Sequence, residues 1–474
     1  MTRLVWFRND FRVHDNPALM HARRDNEEDC LAITFVCESQ WRRHGLGDRR
    51  INLIKQAING LHRSLEKLGI PLLVIQSDLF KDSENDLRHV LGALDVSELN
   101  YNIEYEINER HRDISVCRLC QEYEVSTNKF HDQCLLAPGE VRTQNNDPYR
   151  VYSPFRRSWL SLMQDYCPAP LGAPAPQASD IISAAVSDLI NDRHALPESV
   201  SDPLWSTDEN TAHQRLSEFL DSDVLRYHDL RDLPDAEGTS RLSFHLALGI
   251  LSPRQCIHTA WQRNNCMLSG GEQGIDTWIN ELIWREFYRH LLVAYPQLCK
   301  HKAFKPETEG VPWRNNKSDF DRWCRGETGY PIVDAAMKQL LDQGWMHNRL
   351  RMITAMFLTK HLLIDWRWGE AWFFEQLVDA DLASNNGGWQ WSASTGADGA
   401  PYFRIFNPTT QSEKFDKQGL FISRYLPELA KLSAKSKHFP SAGERSLYGY
   451  CDPIVEHKSA RERALTAFKQ TLEA

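Results

Sequence analysis

The segment Glu281–His290, ELIWREFYRH, carries side chains that can do chemistry at helical spacing. On a helix, positions i, i+3, i+4 and i+7 share one face, and here they are Glu281, Trp284, Arg285 and Tyr288. A carboxylate, an indole and a guanidinium in one stripe can stack a flat ligand and hydrogen-bond its edge. The alternative is an i,i+4 ion pair beside a core tryptophan, and the pattern alone leaves both interpretations open.

Two later segments have a similar mixture of side chains. Trp345–Thr359, WMHNRLRMITAMFLT, places Asn348 and Met352 on one helical face, although a methionine alone is more often core filler. Asp379–Trp391, DADLASNNGGWQW, combines acids, amides, glycines and indoles, and we expect no regular helix throughout it. Its glycines indicate close approach of the backbone to a ligand, and an ordinary loop is the alternative.

Tryptophan is unevenly distributed along the 474 residues. Eleven of the fifteen tryptophans lie between Trp261 and Trp391. A large core explains this, and so does a stacked planar cofactor or base. The formal net charge of −9 counts against a nucleic-acid partner, but local fields govern such binding more than the total charge does.

The eleven cysteines are scattered and odd in number, which favours free thiols. Cys117, Cys120, His131 and Cys134 could form a zinc site, but their spacing departs from common zinc patterns, so we expect no metal. The N-terminal sequence MTRLVWFRNDFRVHDN lacks a signal-peptide pattern, and no apolar run approaches the roughly eighteen residues that span a bilayer. We therefore expect a cytoplasmic protein.

The first 130 residues alternate strand and helix signals. Short apolar runs at Leu4–Phe7, Leu31–Val36 and Leu72–Ile75 have strand length. Between the last two runs, apolar residues repeat every three or four positions from Ile51 to Leu68, and Gly69 then ends the predicted helix. This alternation predicts a doubly wound parallel sheet of flavodoxin-like type. No G-x-G-x-x-G follows the first strand, so the usual dinucleotide fingerprint is absent.

The chain is long enough for two or three domains. Residues 168–176, PAPLGAPAP, and their small polar neighbours to about Pro203 indicate a connection that its prolines stiffen. Helical patterns dominate from Thr211 onward, with one predicted helix opened by Pro331 and closed by Gly344. We therefore predict an α/β domain over 1–135, a connection over 136–203 and a helical domain over 204–474.

Six motifs in the second half resemble the photolyase/cryptochrome family, and LVWFRNDFRVHDNPAL resembles its opening strand and turn. The motifs are GTSRLS at 238–243, WINELIWREFYRH at 278–290, TGYPIVDAAM at 328–337, WMHNRLRMITA at 345–355, NNGGWQW at 385–391 and FRIFNPTTQSEKFD at 403–416. The resemblance covers nearly the whole chain and is greatest to bacterial class I cyclobutane-dimer photolyases. It implies a helical domain that binds FAD and a light-driven DNA repair reaction.

The resemblance also implies which residues hold FAD. The matching positions are Tyr227, Thr239, Ser240, Arg241, Leu242, Ser243, Trp278, Asn348, Arg351, Asp379, Asp381 and Asn385. Hydroxyl and backbone N–H groups near a helix start suit a pyrophosphate. Arg351 is expected to pair with Asp379, and Asn385 is expected to face flavin N5. The active cofactor would be reduced and anionic, and it would pass one electron to the dimer on illumination.

The implied substrate is DNA with a flipped cyclobutane pyrimidine dimer. Trp284 and Trp391 would stack on the dimer, and Glu281 would hydrogen-bond a pyrimidine edge. Asn348, Arg349 and Met352 would complete the wall, while phosphate contacts would come from Arg231, Arg285 and Arg404. Trp389, Trp366 and Trp313 match the family's chain that carries an electron from the surface to oxidised flavin. Trp368 and Trp372 could offer branches of that chain.

A second, antenna chromophore in the α/β domain is expected to be methenyltetrahydrofolate. Positions that resemble its binding site are His44, Asn108, Glu109, Cys299 and Lys300, although ordinary surface residues would also explain them. A deazaflavin or no antenna is the alternative. We expect a monomer that needs no protein partner and no membrane.

Three other functions would require sequence features that differ from those of this chain. A cryptochrome photoreceptor often carries a long tail, whereas only about sixty residues follow the NPTT motif here, and plant receptors generally place Asp at the position of Asn385. A (6-4) photolyase would show histidines at the positions of Asn348 and Met352. A plain flavodoxin-like binding protein would not need the tryptophan-rich half.

Overall fold

The computed structural model describes residues 1–25, 28–177 and 184–472. Its described residues form five strands, all within the first 130 positions. These are β1 (Thr2–Trp6), β2 (Asp29–Cys37), β3 (Leu72–Ser77), β4 (Val96–Asn102) and β5 (Ser126–Phe130). The three predicted strands are thus present, and two further strands join them. Strands β2 and β3 are longer than predicted, whereas β1 begins two residues earlier and ends one residue before the predicted Phe7.

The five strands form one parallel sheet in the order β3-β2-β1-β4-β5, so the sheet is doubly wound as predicted, with the strand order of a Rossmann sheet and not that of flavodoxin. In the central strand β1, Leu4 lies opposite Leu31 of β2 on one side and Leu99 of β4 on the other. All three leucines are at most 1% exposed. A parallel sheet covered on both faces needs such continuous apolar strands, which is why the runs were readable in the sequence.

Helices connect and cover the strands, and their limits follow the local signals. They are α1 (Pro17–Ala22), α2 (Glu38–Arg43), α3 (Asp48–Glu66), α4 (Phe80–Ala93) and α5 (Ile107–Glu122). Helix α3 buries the predicted stripe, including Ile51, Ile58 and Leu65. Gly69 follows with φ +67°, in the left-handed region that glycine adopts without strain.

The connection between the predicted domains contains more structure than its composition indicates. Helix α6 spans Tyr152–Met163 and helix α7 spans Ala184–Arg193. After α7, the backbone N–H of Ala195 donates to Val74 O at 3.0 Å, so this part of the chain is fixed to the region of β3. The predicted connection thus contains two helices in its described residues, and its residues 178–183 lie outside the described part.

The remaining described chain is helical. Its α-helices are α8 (Glu209–Asp221), α9 (Tyr227–Leu230), α10 (Ser243–Ala247), α11 (Pro253–Arg263), α12 (Gln273–Ala294), α13 (Lys317–Arg325), α14 (Pro331–Gln343), α15 (Asn348–Met356), α16 (Trp366–Gln376), α17 (Leu382–Ala393), α18 (Pro408–Phe415), α19 (Leu420–Tyr425), α20 (Ala434–His438), α21 (Ala442–Tyr448) and α22 (His457–Leu472). Helix α14 confirms the prediction from Pro331 and Gly344, because Gly344 ends it at φ +64°.

The chain divides into two compact units. The first consists of Met1–Tyr149, Pro154–Leu225 and Ser240–Ala294, and the second of Arg150–Ser153, Arg226–Thr239 and Tyr295–Ala474. The second unit has its own core of buried helix residues, among them Trp323, Trp366 and Trp389. Within the described residues, no helix combines the length and the apolar character that crossing a membrane requires.

Candidate functional site

Helix α12 of the first unit presents the chemical stripe as the sequence predicted. Its partly exposed residues include Glu281, Trp284, Arg285 and Tyr288. The intervening Leu282, Ile283 and Phe287 are buried. Trp284 packs edge-on against Phe287, with ring centroids 5.7 Å apart, and this contact limits rotation of the indole. The stripe is therefore a rigid, partly exposed surface.

Arg285 makes hydrogen bonds inside the first unit. Its Nη1 donates to Gln133 O at 2.7 Å and its Nη2 to Leu246 O at 3.3 Å. These bonds orient the guanidinium and engage two of its five donors. A phosphate contact by Arg285 stays a prediction.

Glu286, next along α12, is a completely buried carboxylate that the motif reading did not single out. It accepts hydrogen bonds from the backbone N–H of Leu135 and from Trp159 Nε1, the latter at 2.7 Å. Burial raises the pKa of Glu286 to about 7, and the two donated hydrogen bonds oppose the rise. The only signal in the sequence was an acid at a position that helical periodicity assigns to the core.

The predicted phosphate-contacting segment surrounds the start of α10. Ser243 begins that helix, and Leu242 before it is buried. Arg241 has φ +51°, an unusual conformation for a residue with a side chain. Ser240 is held from two sides within the first unit, by Trp278 Nε1 to its Oγ at 3.4 Å and by Arg215 Nε to its O at 2.8 Å. Thr239, which is partly exposed, ends a segment of the second unit.

In the second unit, Arg351 and Asp379 form the predicted ion pair. Arg351 Nη2 lies 2.8 and 3.1 Å from the two carboxylate oxygens, and Arg351 Nε donates to Met346 O. The Asp379 side chain is only 2% exposed. Because Arg351 is in the first turn of α15 and Asp379 lies just before α17, the pair brings the N-terminal ends of these two helices together.

Helix α17 corrects one expectation, because the segment with two asparagines and two glycines is a regular helix from Leu382 to Ala393. The preceding Asp381 caps it, since the side chain accepts from Ser384 N at 2.8 Å. A Cβ added at Gly388 would meet nothing within 4 Å, so the helix faces open space there. Packing and capping outweigh the low helix propensity of asparagine and glycine.

The amide of Asn385 has a defined orientation in the second unit. Its Nδ2 donates to Glu370 O at 3.0 Å. A carbonyl oxygen only accepts, so the amide nitrogen must face Glu370 and Oδ1 must point the other way. The next residue, Asn386, donates to Glu370 Oε1 at 2.8 Å, and His301 Nδ1 lies 2.8 Å from Oε2. Glu370 is thus a buried anchor for α17 that sequence reasoning missed.

Arg349 is positioned by contacts that join distant parts of the second unit. It pairs with Asp232, with Nη2 to Oδ2 at 2.7 Å, and its guanidinium lies 4.6 Å from the ring centroid of Phe415. Its Nη1 also lies 3.7 Å from Met352 Sδ, so these two predicted substrate residues are in contact. Asn348 at the start of α15 is exposed.

The other predicted contacts in the second unit differ in exposure. Tyr227 is buried, and the guanidinium of Arg231 lies 5.7 Å from the centroid of its ring. Trp391 on α17 is partly exposed, whereas Arg404 is exposed. The exposed guanidinium of Arg404 is accessible to a large charged partner.

The three tryptophans of the predicted electron path belong to the aromatic core of the second unit. Trp389 and Trp366 are buried, and Trp313 is partly buried against the same core. A Cβ at Gly369 of α16 would collide with the ring of Trp389, so glycine permits the close approach of these helices. Trp313 also packs on Phe468 at 5.8 Å. Trp368 and Trp372 pack against this core as partly buried residues.

Three of the predicted antenna residues meet in the first unit. Asn108 Nδ2 lies 3.0 Å from His44 Nε2, and Glu109 Oε1 lies 3.5 Å from His44 Nδ1. Burial raises the pKa of Glu109 to about 8, with a further rise from Glu106 and Glu104, and burial lowers the pKa of His44. His44 and Glu109 therefore meet as neutral groups near pH 7.

The other two antenna positions belong to the second unit. Cys299 and Lys300 are consecutive residues of a short 3-10 helix, Pro296–Lys300. Cys299 is partly exposed and Lys300 is exposed.

The four residues weighed as a zinc site do not converge. Cys117 Sγ contacts Tyr101 Oη, and His131 Nδ1 contacts Tyr105 Oη. Within the described ranges, the groups whose ligand atoms all lie within 4.8 Å of one another are His14–Glu209–His213 and Cys134–Glu286–His290. All eleven cysteines are free thiols.

Comparisons with known proteins agree with this architecture. Residues 3–177 match the DNA photolyase family and residues 278–470 match the FAD binding domain of DNA photolyase. The chain is 46% identical over 471 residues to the deoxyribodipyrimidine photo-lyase of Escherichia coli, covering 99% of this chain and 98% of that protein. It is also 46% identical over 474 residues to the Salmonella typhimurium protein of the same name, covering 99% and 98%.

Solved structures of photolyases and a cryptochrome have a fold similar to that of this chain. The bacterial class III photolyase from Agrobacterium tumefaciens matches with a TM-score of 0.83 at 34% identity, covering all of this chain and 98% of that one. The archaeal photolyase from Sulfolobus tokodaii, solved with two FAD molecules, matches at 0.80 and 27% identity, covering 99% and 100%. A Synechocystis cryptochrome matches at 0.85 and 27%, covering 98% and 99%.

Proposed function

The chain belongs to the photolyase/cryptochrome family, and from that premise we propose that it is a flavin-dependent enzyme that uses light to split cyclobutane pyrimidine dimers in DNA. Its curated relatives at 46% identity are deoxyribodipyrimidine photo-lyases, so repair is favoured over the signalling role of a cryptochrome. The enzyme class is a carbon–carbon lyase.

The observation that supports FAD best is the pairing of two helix N-termini by Arg351 and Asp379. The N-terminal ends of α15 and α17 each carry partial positive charge, and together they favour an anionic ligand. Arg351 adds guanidinium N–H donors, whose charge the Asp379 carboxylate balances and whose position it fixes. This donor set fits a reduced, anionic flavin.

Other residues would hold the cofactor by hydrogen bonds. Asn385 is fixed by Glu370 with Oδ1 turned away from that partner, so this oxygen can accept from a ligand N–H. Asn348, Asp381 and Trp278 would contact the rings, while Tyr227 and residues 239–243 would meet the pyrophosphate. When bound, reduced FAD supplies the electron that, on illumination, opens the cyclobutane ring.

The proposed substrate contacts are those that the family resemblance implies. From α12, Glu281 would hydrogen-bond a pyrimidine edge and Trp284 would stack on the flipped dimer. Trp391, Asn348, Arg349 and Met352 would line its other sides. A damaged pair costs less to extrude than intact bases, so flipping itself favours damaged sites. We expect the protein to act as a monomer.

The experiment is a repair assay with bound flavin measured in parallel. The protein, chemically reduced, is mixed with an oligonucleotide that contains one thymine dimer and is illuminated, with a dark sample as control. We expect light-dependent loss of the dimer and about one FAD released per chain on denaturation. Folded protein with one FAD but no repair would support a photoreceptor instead, and folded protein without FAD would contradict both functions.

The second chromophore is proposed to be a methenyltetrahydrofolate that contacts His44, Asn108, Glu109, Cys299 and Lys300. The neutral pair of His44 and Glu109 supports this, because protonated Glu109 can donate a hydrogen bond to a pterin edge. An absorbance spectrum of the purified protein tests it. A near-ultraviolet band beyond that of FAD is expected, and a purely flavin spectrum with one FAD per chain would contradict it.

A further inference from the structure

A set of ligating side chains lies in the first unit, and the proposed flavin and DNA contacts do not include it. His14, Glu209 and His213 each offer a ligand atom, and these atoms lie within 4.8 Å of one another. We propose that they bind one divalent transition-metal ion of the zinc type. Two imidazoles and one carboxylate are a ligand set that Zn²⁺ and its neighbours in the first transition row accept.

Helix α8 and the segment between β1 and α1 bring the three residues together. Glu209 and His213 lie four positions apart, at i and i+4 in the first turns of α8, so they share one helical face. His14 lies between β1 and α1, and its Nδ1 is 2.8 Å from Glu209 Oε1. A metal would displace the proton from this contact and release it to solvent.

Second contacts hold each ligand in place. Glu209 accepts from the backbone N–H groups of Val13 and His14, both at 3.0 Å, and it is only 9% exposed. Gln255 Nε2 donates to His213 Nε2 at 3.0 Å, so an ion bound at that nitrogen would replace this hydrogen bond. The two backbone donors orient Glu209, as outer partners of metal ligands do.

Solvent access and local charge also suit an ion. The His14 side chain is 44% exposed, so an ion can enter and water can complete a tetrahedral shell. The positive charge of Arg12 acts on His213, but this charge is paired with the Asp132 carboxylate. The carboxylate of Glu209 therefore determines the sign of the local field.

The other close group, Cys134–Glu286–His290, is a poorer candidate. All three residues are buried, so this group lacks the access to water that the partly exposed His14 gives the first group. His290 Nε2 lies 3.0 Å from Leu136 O. Burial also raises the pKa of Cys134, which keeps the thiol protonated, whereas a metal needs the thiolate.

The test is a titration of chelator-treated, full-length protein with Zn²⁺ by calorimetry and with Co²⁺ by visible absorption. We expect one ion per chain, with His213→Ala weakening the affinity at least roughly tenfold, because even the loss of an outer partner costs about 10- to 100-fold. Zn²⁺ should also raise the melting temperature of the parent but not of His213→Ala.

Two further variants make the result specific. His89→Ala removes an exposed histidine on α4 and should leave metal binding unchanged. Cys134→Ser should leave it unchanged as well. No binding by the folded parent, equal binding by folded His213→Ala, or loss of binding only in Cys134→Ser would each overturn the proposal.

Discussion

At the residue scale, Trp313 combines partial exposure with contact to the aromatic core of the second unit. We predict that Trp313→Phe blocks photoreduction of oxidised FAD, because it removes the proposed outer end of the electron path. Repair by protein that was reduced beforehand should be unchanged, since that path does not include Trp313. Flavin absorbance under illumination with an external reductant measures the first effect, and the dimer assay measures the second.

Trp368→Phe is the matched control for this variant. Trp368 packs against the same core and meets Phe320 edge-on at 5.2 Å. If Trp368 lies outside the main electron path, the Trp368→Phe variant should photoreduce its flavin at the parental rate. Photoreduction at the parental rate by Trp313→Phe would show that the path ends elsewhere, and a slow Trp368→Phe would indicate a branch.

Because of the raised pKa of Glu286, we predict that the free energy of unfolding depends on pH. Burial raises its folded pKa from 4.5 to about 7, so the folded chain retains the proton between these values. The contribution of this group is complete below pH 4.5 and is lost as pH rises through about 7. A shift of this size corresponds to roughly 3 kcal/mol, at about 1.4 kcal/mol for each pH unit.

Glu286→Gln checks that prediction because glutamine does not titrate. The parent's advantage in unfolding free energy over this variant should shrink by up to roughly 3 kcal/mol between pH 4.5 and 8. Denaturant unfolding at a series of pH values measures it. Glu428→Gln, at an exposed position, is the control and should show a constant difference. A constant difference for Glu286→Gln would disprove the raised pKa.

At the scale of elements, α17 ends against the buried amino group of Lys360. This residue lies in the short π-helical segment Phe357–His361, and its Nζ donates to Ala393 O at 3.1 Å and Ser394 Oγ at 2.9 Å. Nζ also lies 3.5 Å from the ring centroid of Phe468 in α22. Burial lowers the pKa of Lys360 well below its ordinary value, so the amino group acts here as a hydrogen-bond donor to the end of the helix.

Lys360→Met should therefore loosen the end of α17 on which Trp389 and Trp391 are carried. A buried carbonyl without a donor costs about 1–3 kcal/mol, while removal of a buried amino group offsets part of this. We expect faster amide hydrogen exchange over residues 390–396. Lys317→Met, on the exposed surface of α13, is the control. Unchanged exchange in Lys360→Met would show that the amino group does not hold this helix end.

At the scale of the whole molecule, an acidic chain of net charge −9 must bind a polyanion through local groups. Exposed Arg404 should contribute through counterion release, which weakens with salt. Stacking on Trp284 should depend on salt far less and is worth about 1–3 kcal/mol per base. The two residues should therefore have different signatures in DNA binding.

Binding titrations at several salt concentrations separate these contributions. Arg404→Ala should weaken binding to damaged and undamaged duplexes together and lower the salt slope by about 1. Trp284→Ala should weaken damaged DNA selectively and leave the slope nearly unchanged. Equal binding of dimer-containing DNA by Trp284→Ala and the parent would move the dimer pocket away from α12.

The sequence by itself determined those features whose causes are contiguous residues. The stripe of α3, the limits of α14 between Pro331 and Gly344, and the half-exposed face of α12 follow from periodicity and from caps. The motifs likewise identified the family, because each is a short run in fixed order. The ion pair of Arg351 with Asp379 was expected from that resemblance.

Tertiary structure alone decided the features that join distant residues. Arg349 meets Asp232 across 117 positions, and no local pattern encodes such a partner. The helix α17 forms despite Asn-Asn-Gly-Gly because Asp381 caps it and Trp389 packs on Phe373. Lys360 is buried because the end of α17 supplies its two oxygen acceptors and α22 supplies its aromatic contact. Local propensities are weak, amounting to about 1 kcal/mol or less for most residues, so packing of the whole chain overrides them.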